Sequence, residues 1–350
     1  MLALLLAVTV PARGASQSAN SVELGPEAAA LFQDALAAQQ RRDLPGAEKS
    51  YRALLTSMPD YLPARLNLGI VLDAENRTVD ALAAFDAVRT RQPTFPAAQM
   101  FAGIEEVRLG RLADALGSLH LATEQSASDP RCWFWLARAN FALGNAAEGK
   151  AALDKDLAIS SDDASALYLL AQYQISAQDL NGAERVLTGL ATRYPTVPDF
   201  HQSLGSVYYM EARLDKAEGE YRTELRMDSE NPQALSMIGV ILLDRGQAKD
   251  AAPYLAKGLE ANPRIAYLQR KMGQALLESD APEQAIPHLR QAVALDTQDA
   301  TAHFLLWKAF NAMGRKPEAS AELDAFRKLQ SHSPANADRQ GLPPLNPGHP

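Results

Sequence analysis

Small and large apolar residues recur along this chain with a period of 34 residues. Stepping by that interval from Ala47 lands on Ala81, Ala115, Gly149, Ala183, Ala217, Ala251, Ala285 and Ala319. Four residues after each stands a large side chain: Tyr51, Phe85, Leu119, Leu153, Leu187, Tyr221, Leu255, Leu289 and Leu323. An i, i+4 spacing puts both on one helical face, the small residue admitting a neighbouring helix and the large one filling the space beside it. A second small position lies twelve residues before the alanine, at Ala35, Gly69, Gly103, Ala137, Ala171, Gly205, Gly239 and Gly273, with Trp307 the exception. The residue before it is Leu68, Leu136, Leu170, Leu204, Ile238, Met272 or Leu306 in seven repeats, while Asp34 and Ala102 depart. Each period therefore predicts two helices that pack closely on each other.

Punctuation residues agree with that reading. Gly110, Gly144, Gly246 and Gly314 share one position between the two helices, where a left-handed residue ends the first. Pro45 and Pro317 open second helices, and Pro253 and Pro287 lie in the first turn or just beyond, where a missing N–H costs little. Pro59, Pro93, Pro195 and Pro263 close the second helix at another shared position. The repeats fall at 28–61, 62–95, 96–129, 130–163, 164–197, 198–231, 232–265, 266–299 and 300–330, without insertion or deletion.

The small residue preceded by Leu, the later alanine, the aromatic or Leu four residues on and the closing proline together resemble the tetratricopeptide repeat, over about residues 28–330. The resemblance implies an all-α fold, antiparallel helix pairs in a right-handed superhelical solenoid whose first helices line a concave groove for peptides or protein segments. It also implies atypical terminal repeats, matched here by Asp34 and Trp307. Family members that grip chaperone tails carry Lys and Asn at inner positions where this chain has Phe32, Leu36, Leu66 and Ile70, so that clamp is not expected.

Composition narrows the function. The net charge is −8 with no run of Lys or Arg, which argues against a nucleic-acid partner. Cys132 is the sole cysteine, so neither an intramolecular disulfide nor a thiolate metal cage forms, and it reads as a small buried residue. Six histidines never pair at a spacing of three or four, and no phosphate loop or nucleophile motif occurs, so neither cofactor, metal nor catalysis is expected. Glu105 and Glu106 are adjacent, point to different faces, and are expected on a solvated surface. Asn76-Arg77-Thr78 matches a glycosylation sequon, read as a chance match.

Leu2–Val10 is an apolar run of nine followed by Pro11 and the small stretch Ala12–Ser16, which reads as a signal peptide over 1–16 and predicts an exported, periplasmic or secreted protein. An uncleaved anchor completed by residues upstream is the alternative, and would be the sole membrane contact. A lead at 17–27 precedes the repeats, and a polar, Pro-rich tail at 331–350 is expected to be disordered.

Positions that line the family's groove are read most distinctively in repeats three to six: Met100, Ile104, Val107, Arg108, Arg131, Phe134, Arg138, Phe141, Tyr168, Gln172, Ile175, Tyr209 and Met210. Arginines interleaved with aromatic and flexible apolar side chains suit the centre of an interface. They predict a partner segment with apolar anchors and an acidic group or terminal carboxylate. The alternative has the arginines paired with neighbouring acids, and Phe134 and Tyr168 packed between repeats. A binding scaffold, the recognition part of an enzyme on another chain, and a self-associating scaffold are the functions left open.

Overall fold

The computed structural model describes residues 24–331; the leader and most of the tail read above lie outside them. The described residues form eighteen helices and no strands. In order they are α1 (Pro26–Gln40), α2 (Leu44–Ser57), α3 (Leu62–Ala74), α4 (Thr78–Arg91), α5 (Pro96–Arg108), α6 (Leu112–Gln125), α7 (Pro130–Ala142), α8 (Ala146–Ile159) and α9 (Ala164–Ser176). The series continues with α10 (Leu180–Arg193), α11 (Pro198–Met210), α12 (Leu214–Met227), α13 (Pro232–Asp244), α14 (Ala248–Ala261), α15 (Ala266–Glu278), α16 (Pro282–Leu295), α17 (Ala300–Ala312) and α18 (Lys316–Ser331). Contacts divide the chain into two units, one ending at Tyr173 and the other beginning at Gln174.

In the first unit α1 packs on α2, α3 on α4, α5 on α6 and α7 on α8, and each pair joins the next through its second helix; α5 also touches α7. The second unit repeats the scheme from α11 onward, with α13 touching α15 and α15 touching α17. Each unit is thus a stack of helix hairpins whose first helices form a layer of their own.

The small-to-large pairing read from the sequence is the hairpin contact itself. A Cβ added at Gly69 would lie 2.4 Å from the Phe85 ring, and one at Gly103 would lie 2.6 Å from Leu119. Tyr51, Phe85, Leu119, Leu153, Leu187, Tyr221, Leu255 and Leu289 are all fully buried. Burying a side chain of this size contributes roughly 1.5–3 kcal/mol.

Among the described residues one left-handed residue stands at the same position of every repeat, between its two helices. Glycine supplies it at 110, 144, 246 and 314, whereas Arg42, Asn76, Gln178, Ala212 and Asp280 adopt it despite their side chains. A second recurrent device ties consecutive hairpins. The side chain at the fourth position of a repeat donates to a carbonyl six residues back: Gln99 to Pro93 (2.8 Å), Trp133 to Ala127 (2.8 Å) and Gln269 to Pro263 (2.7 Å). This bond satisfies a backbone oxygen of the linker, two residues beyond the end of the preceding helix.

Glu105 and Glu106 correct the expectation of a solvated face, since both are fully buried. They do leave α5 on different sides, but neighbouring helices cover both. Glu106 accepts from Arg89 (2.8 Å) and Ser118 (2.7 Å). Glu105 meets Arg108 at 3.0 Å, its second oxygen has no partner, and burial followed by the charge of Asp73 pushes its carboxyl up to about 7.

Two further carboxyls stand at a core position that holds Leu54, Val88 and Leu190 in other repeats. Asp156 on α8 and Glu224 on α12 are fully buried, and neither has a hydrogen-bond partner on either oxygen. Burial, reinforced by Asp163 and Asp129, raises Asp156 to about 7. Burial also raises Glu224 to about 7, with Asp199 and Asp228 adding to the shift and His201 opposing it.

Candidate functional site

The residues read as groove-lining separate by environment. Met100 and Ile104 are core residues, 2% and 7% exposed, packed with Ala122 and Cys132 and against Phe101 and Trp135. No partner reaches them in this conformation, so they leave the candidate surface. Val107 is half-buried against the next hairpin's core. Phe141 stacks on Tyr173 with centroids 5.3 Å apart, and its ring fills the space a Cβ at Gly149 would need, which explains the glycine in that one repeat.

The three arginines also differ. Arg108 is paired with Asp73 of the preceding repeat and with Glu105; burial opposes its charge, yet the two carboxylates hold it above its ordinary value. Arg131 forms a two-pronged pair with Asp129, Nε–Oδ1 2.9 Å and Nη2–Oδ2 2.6 Å, which raises it. Asp129 also caps α7 by accepting from the Arg131 backbone N–H at 3.0 Å. Arg138 is different. Its guanidinium lies 4.7 Å from the centre of the Trp135 ring and 5.9 Å from that of Phe134, and no oxygen among the described residues accepts from it. Burial, then the nearby charge of Arg108, lowers its pKa, the reverse of the shift at its two paired neighbours.

Local structure explains the arrangement. One helical turn separates Phe134 from Arg138, so the guanidinium folds back over the aromatic residues that precede it. Phe134 meets Trp135 edge to face, centroids 5.7 Å apart at 83°, which fixes both rings. Trp135 falls outside the groove positions assigned by the resemblance; the aromatic run Trp133-Phe134-Trp135 was the available signal. Tyr168 is half-buried and Gln172 exposed on α9, in the same unit. Thus α7 presents an outward face of Phe134, Trp135 and Arg138, flanked by arginines that already have partners.

Ile175, Tyr209 and Met210 belong to the second unit. Ile175 is half-buried and Met210 exposed. Tyr209 donates to Asp244 at 2.6 Å, and Lys271 takes the other oxygen of that carboxylate at 2.8 Å. That polar ladder is satisfied within the unit. Among the described residues no group of three or more His, Cys, Asp or Glu side chains is placed to hold a metal ion, and no helix is long and apolar enough to cross a membrane.

Stacked two-helix units with a fixed small-to-large contact define a helical-hairpin solenoid. The tetratricopeptide repeat family matches residues 32–96, 102–164, 168–232, 203–266 and 276–337, so the chain belongs to that family, whose repeats bind proteins and peptides. It is similar to the protein CTR9 homolog of Arabidopsis thaliana, 23% identical over 304 residues, covering 83% of this chain and 27% of the relative. It is also similar to the BBSome complex member bbs-4 of Caenorhabditis elegans, 24% identical over 239 residues, covering 65% of this chain and 50% of that protein. The chain therefore spans half or less of the length of these curated relatives. Among solved structures, a tetratricopeptide repeat protein of Parabacteroides merdae superposes with a TM-score of 0.57 at 15% identity, over 72% of this chain and all of that one. A chain of the APC/C hetero-tetramer Cut9-Hcn1 gives 0.59 at 15% identity, over 80% of this chain and 55% of that one. At these identities the structural likeness speaks to the fold alone.

Proposed function

We propose that this protein is a non-catalytic scaffold that holds a segment of a partner protein against the outward face of α7 in its first unit. The observation that carries the reading is Arg138, an exposed cation lying on two aromatic rings without an acceptor of its own among the described residues. Aromatic side chains and arginine supply most of the binding energy of protein interfaces, and a guanidinium held flat against rings keeps its N–H edge free for an incoming anion. The segment lays apolar side chains on Phe134 and Trp135 and brings an acidic group to Arg138.

A place in a larger assembly is supported by the relative named as a BBSome complex member. Export is supported by the apolar run Leu2–Val10 and the small residues after it. Replacing Phe134 with Ala and Arg138 with Glu, followed by quantitative mass spectrometry of proteins retained by the full-length chain, tests the reading. Specific loss of the same retained proteins in both variants, with unchanged circular dichroism, is the expected result; an identical retained set would contradict it.

A further inference from the structure

Resting on that reading, we infer that the Arg138 site recognises one side-chain carboxylate, an Asp or Glu within a segment, beside an aromatic or aliphatic neighbour. Phosphoryl groups, runs of acidic residues and free chain ends are not its ligands.

The first argument is the local charge balance. Arg108, Arg131 and Arg138 stand on neighbouring elements, and three open guanidiniums would suit a dianion or an acidic cluster. Two are closed internally: Asp73 and Glu105 hold Arg108, and Asp129 holds Arg131 with both oxygens. Arg138 is therefore the one guanidinium of the three that no carboxylate meets. A doubly charged phosphate would have to take a second arginine from its partner, leaving Asp73 or Asp129 uncompensated.

The second argument is the geometry of the open group. Trp135 occupies one face of the Arg138 guanidinium at 4.7 Å and Phe134 approaches at 5.9 Å. Its N–H edges remain available, and a carboxylate meets such an edge with two parallel hydrogen bonds. Stacking holds the plane and limits the side-chain entropy lost on binding.

The third argument excludes a chain end. Terminal carboxylates are captured by converging backbone N–H groups or by several side-chain donors together, such as the Lys and Asn of the chaperone-tail clamp. Here the surrounding surface is the side of α7, whose interior N–H groups serve helical hydrogen bonds and whose N-cap is already filled by Asp129. The surface therefore offers a side-chain cation beside apolar rings, with no nest for a terminus.

The test probes the full-length protein with an array of acetylated, amidated 12-residue peptides in which each position is scanned through all residue types. Parallel arms carry phosphoserine or a free C-terminus. The expected result is selection of peptides with a single required Asp or Glu next to an apolar residue. Changing that residue to Gln or Asn weakens binding about ten- to a hundredfold. In the Arg138→Glu variant the requirement should move to Lys or Arg, a gain of binding that an unfolded variant cannot show. Preference for phosphoserine, for two or more acidic positions or for the free C-terminus would overturn the inference. So would apolar selection that depends on Phe134 but ignores charge at position 138, and that outcome would leave the docking face intact. Failure of every peptide, together with indifference of partner retention to Phe134→Ala, would overturn the inference and the docking face together.

Discussion

Asp156 offers a test in which magnitude and sign both follow from the structure. Its carboxyl is fully buried among the hairpin contacts of α8, and neither oxygen has a partner. Burial, with Asp163 and Asp129 adding to it, moves its midpoint from 3.8 to about 7. At about 1.36 kcal/mol per pH unit that displacement corresponds to about 4 kcal/mol, and relaxation of the surroundings reduces the expectation to about 2–4 kcal/mol. The folded chain holds its proton where the unfolded chain has lost it, so stability falls as pH rises. The loss begins near the unfolded midpoint, runs through the window between 3.8 and about 7, and is complete above it. Asp156→Leu, which installs the residue found at the same position as Leu54 and Leu190, should remove that loss. The variant should be more stable than the parent by about 2–4 kcal/mol at pH 8, with the advantage shrinking as pH falls toward 4. Urea unfolding followed by tryptophan fluorescence in a Trp307→Phe background reads the first unit, since the remaining tryptophans, Trp133 and Trp135, both lie in α7. An advantage that does not change with pH, or a parent more stable than the variant at pH 8, would refute the reasoning.

Glu224→Leu should behave in the same way in the second unit, with a gain that grows as pH rises from 4.5 to about 7, read by urea unfolding followed through Trp307 in a background lacking the other tryptophans. Ala212 holds a left-handed backbone at φ 57°, so Ala212→Gly should stabilise by about 1 kcal/mol in thermal unfolding, while Gly144→Ala should cost a similar amount. Gly103→Val should destabilise by roughly 1–3 kcal/mol, because its Cβ meets Leu119 at 2.6 Å, and a Leu119→Ala partner change should recover part of that loss in a double-mutant cycle.

Much of the fold is legible in the sequence because backbone packing obeys the period. Gly69 against Phe85 and Gly103 against Leu119 are the close approaches that the alternation of small and large residues demands. The four left-handed glycines were readable for the same reason, whereas Arg42, Gln178 and Ala212 were not, since nothing in their chemistry marks that conformation. The candidate site was less legible. Arg108 and Arg138 both stand at groove positions, but their roles depend on Asp73, which lies 35 residues before Arg108, and on whether an aromatic ring or a carboxylate lies within reach. Periodicity assigns positions to faces without assigning partners to side chains. Met100 and Ile104 illustrate this: the groove register is theirs, yet the bulk of Trp135 and the packing around Cys132 draw them into the core. Glu106 was misplaced because the arginine and serine that make its burial tolerable come from other helices, and Glu105 because neighbouring helices cover it although its arginine lies on its own helix.

The most direct measurement of the central claim is site-specific photocrosslinking in the full-length chain. A benzophenone amino acid is placed at position 134 on the proposed face, or at position 121, where Leu121 is 41% exposed on α6. Irradiation in the native cell should give a discrete cross-linked partner from position 134, abolished by Arg138→Glu, and none from position 121. Equal cross-linking from both positions, or a position-134 product indifferent to Arg138→Glu, would contradict the account.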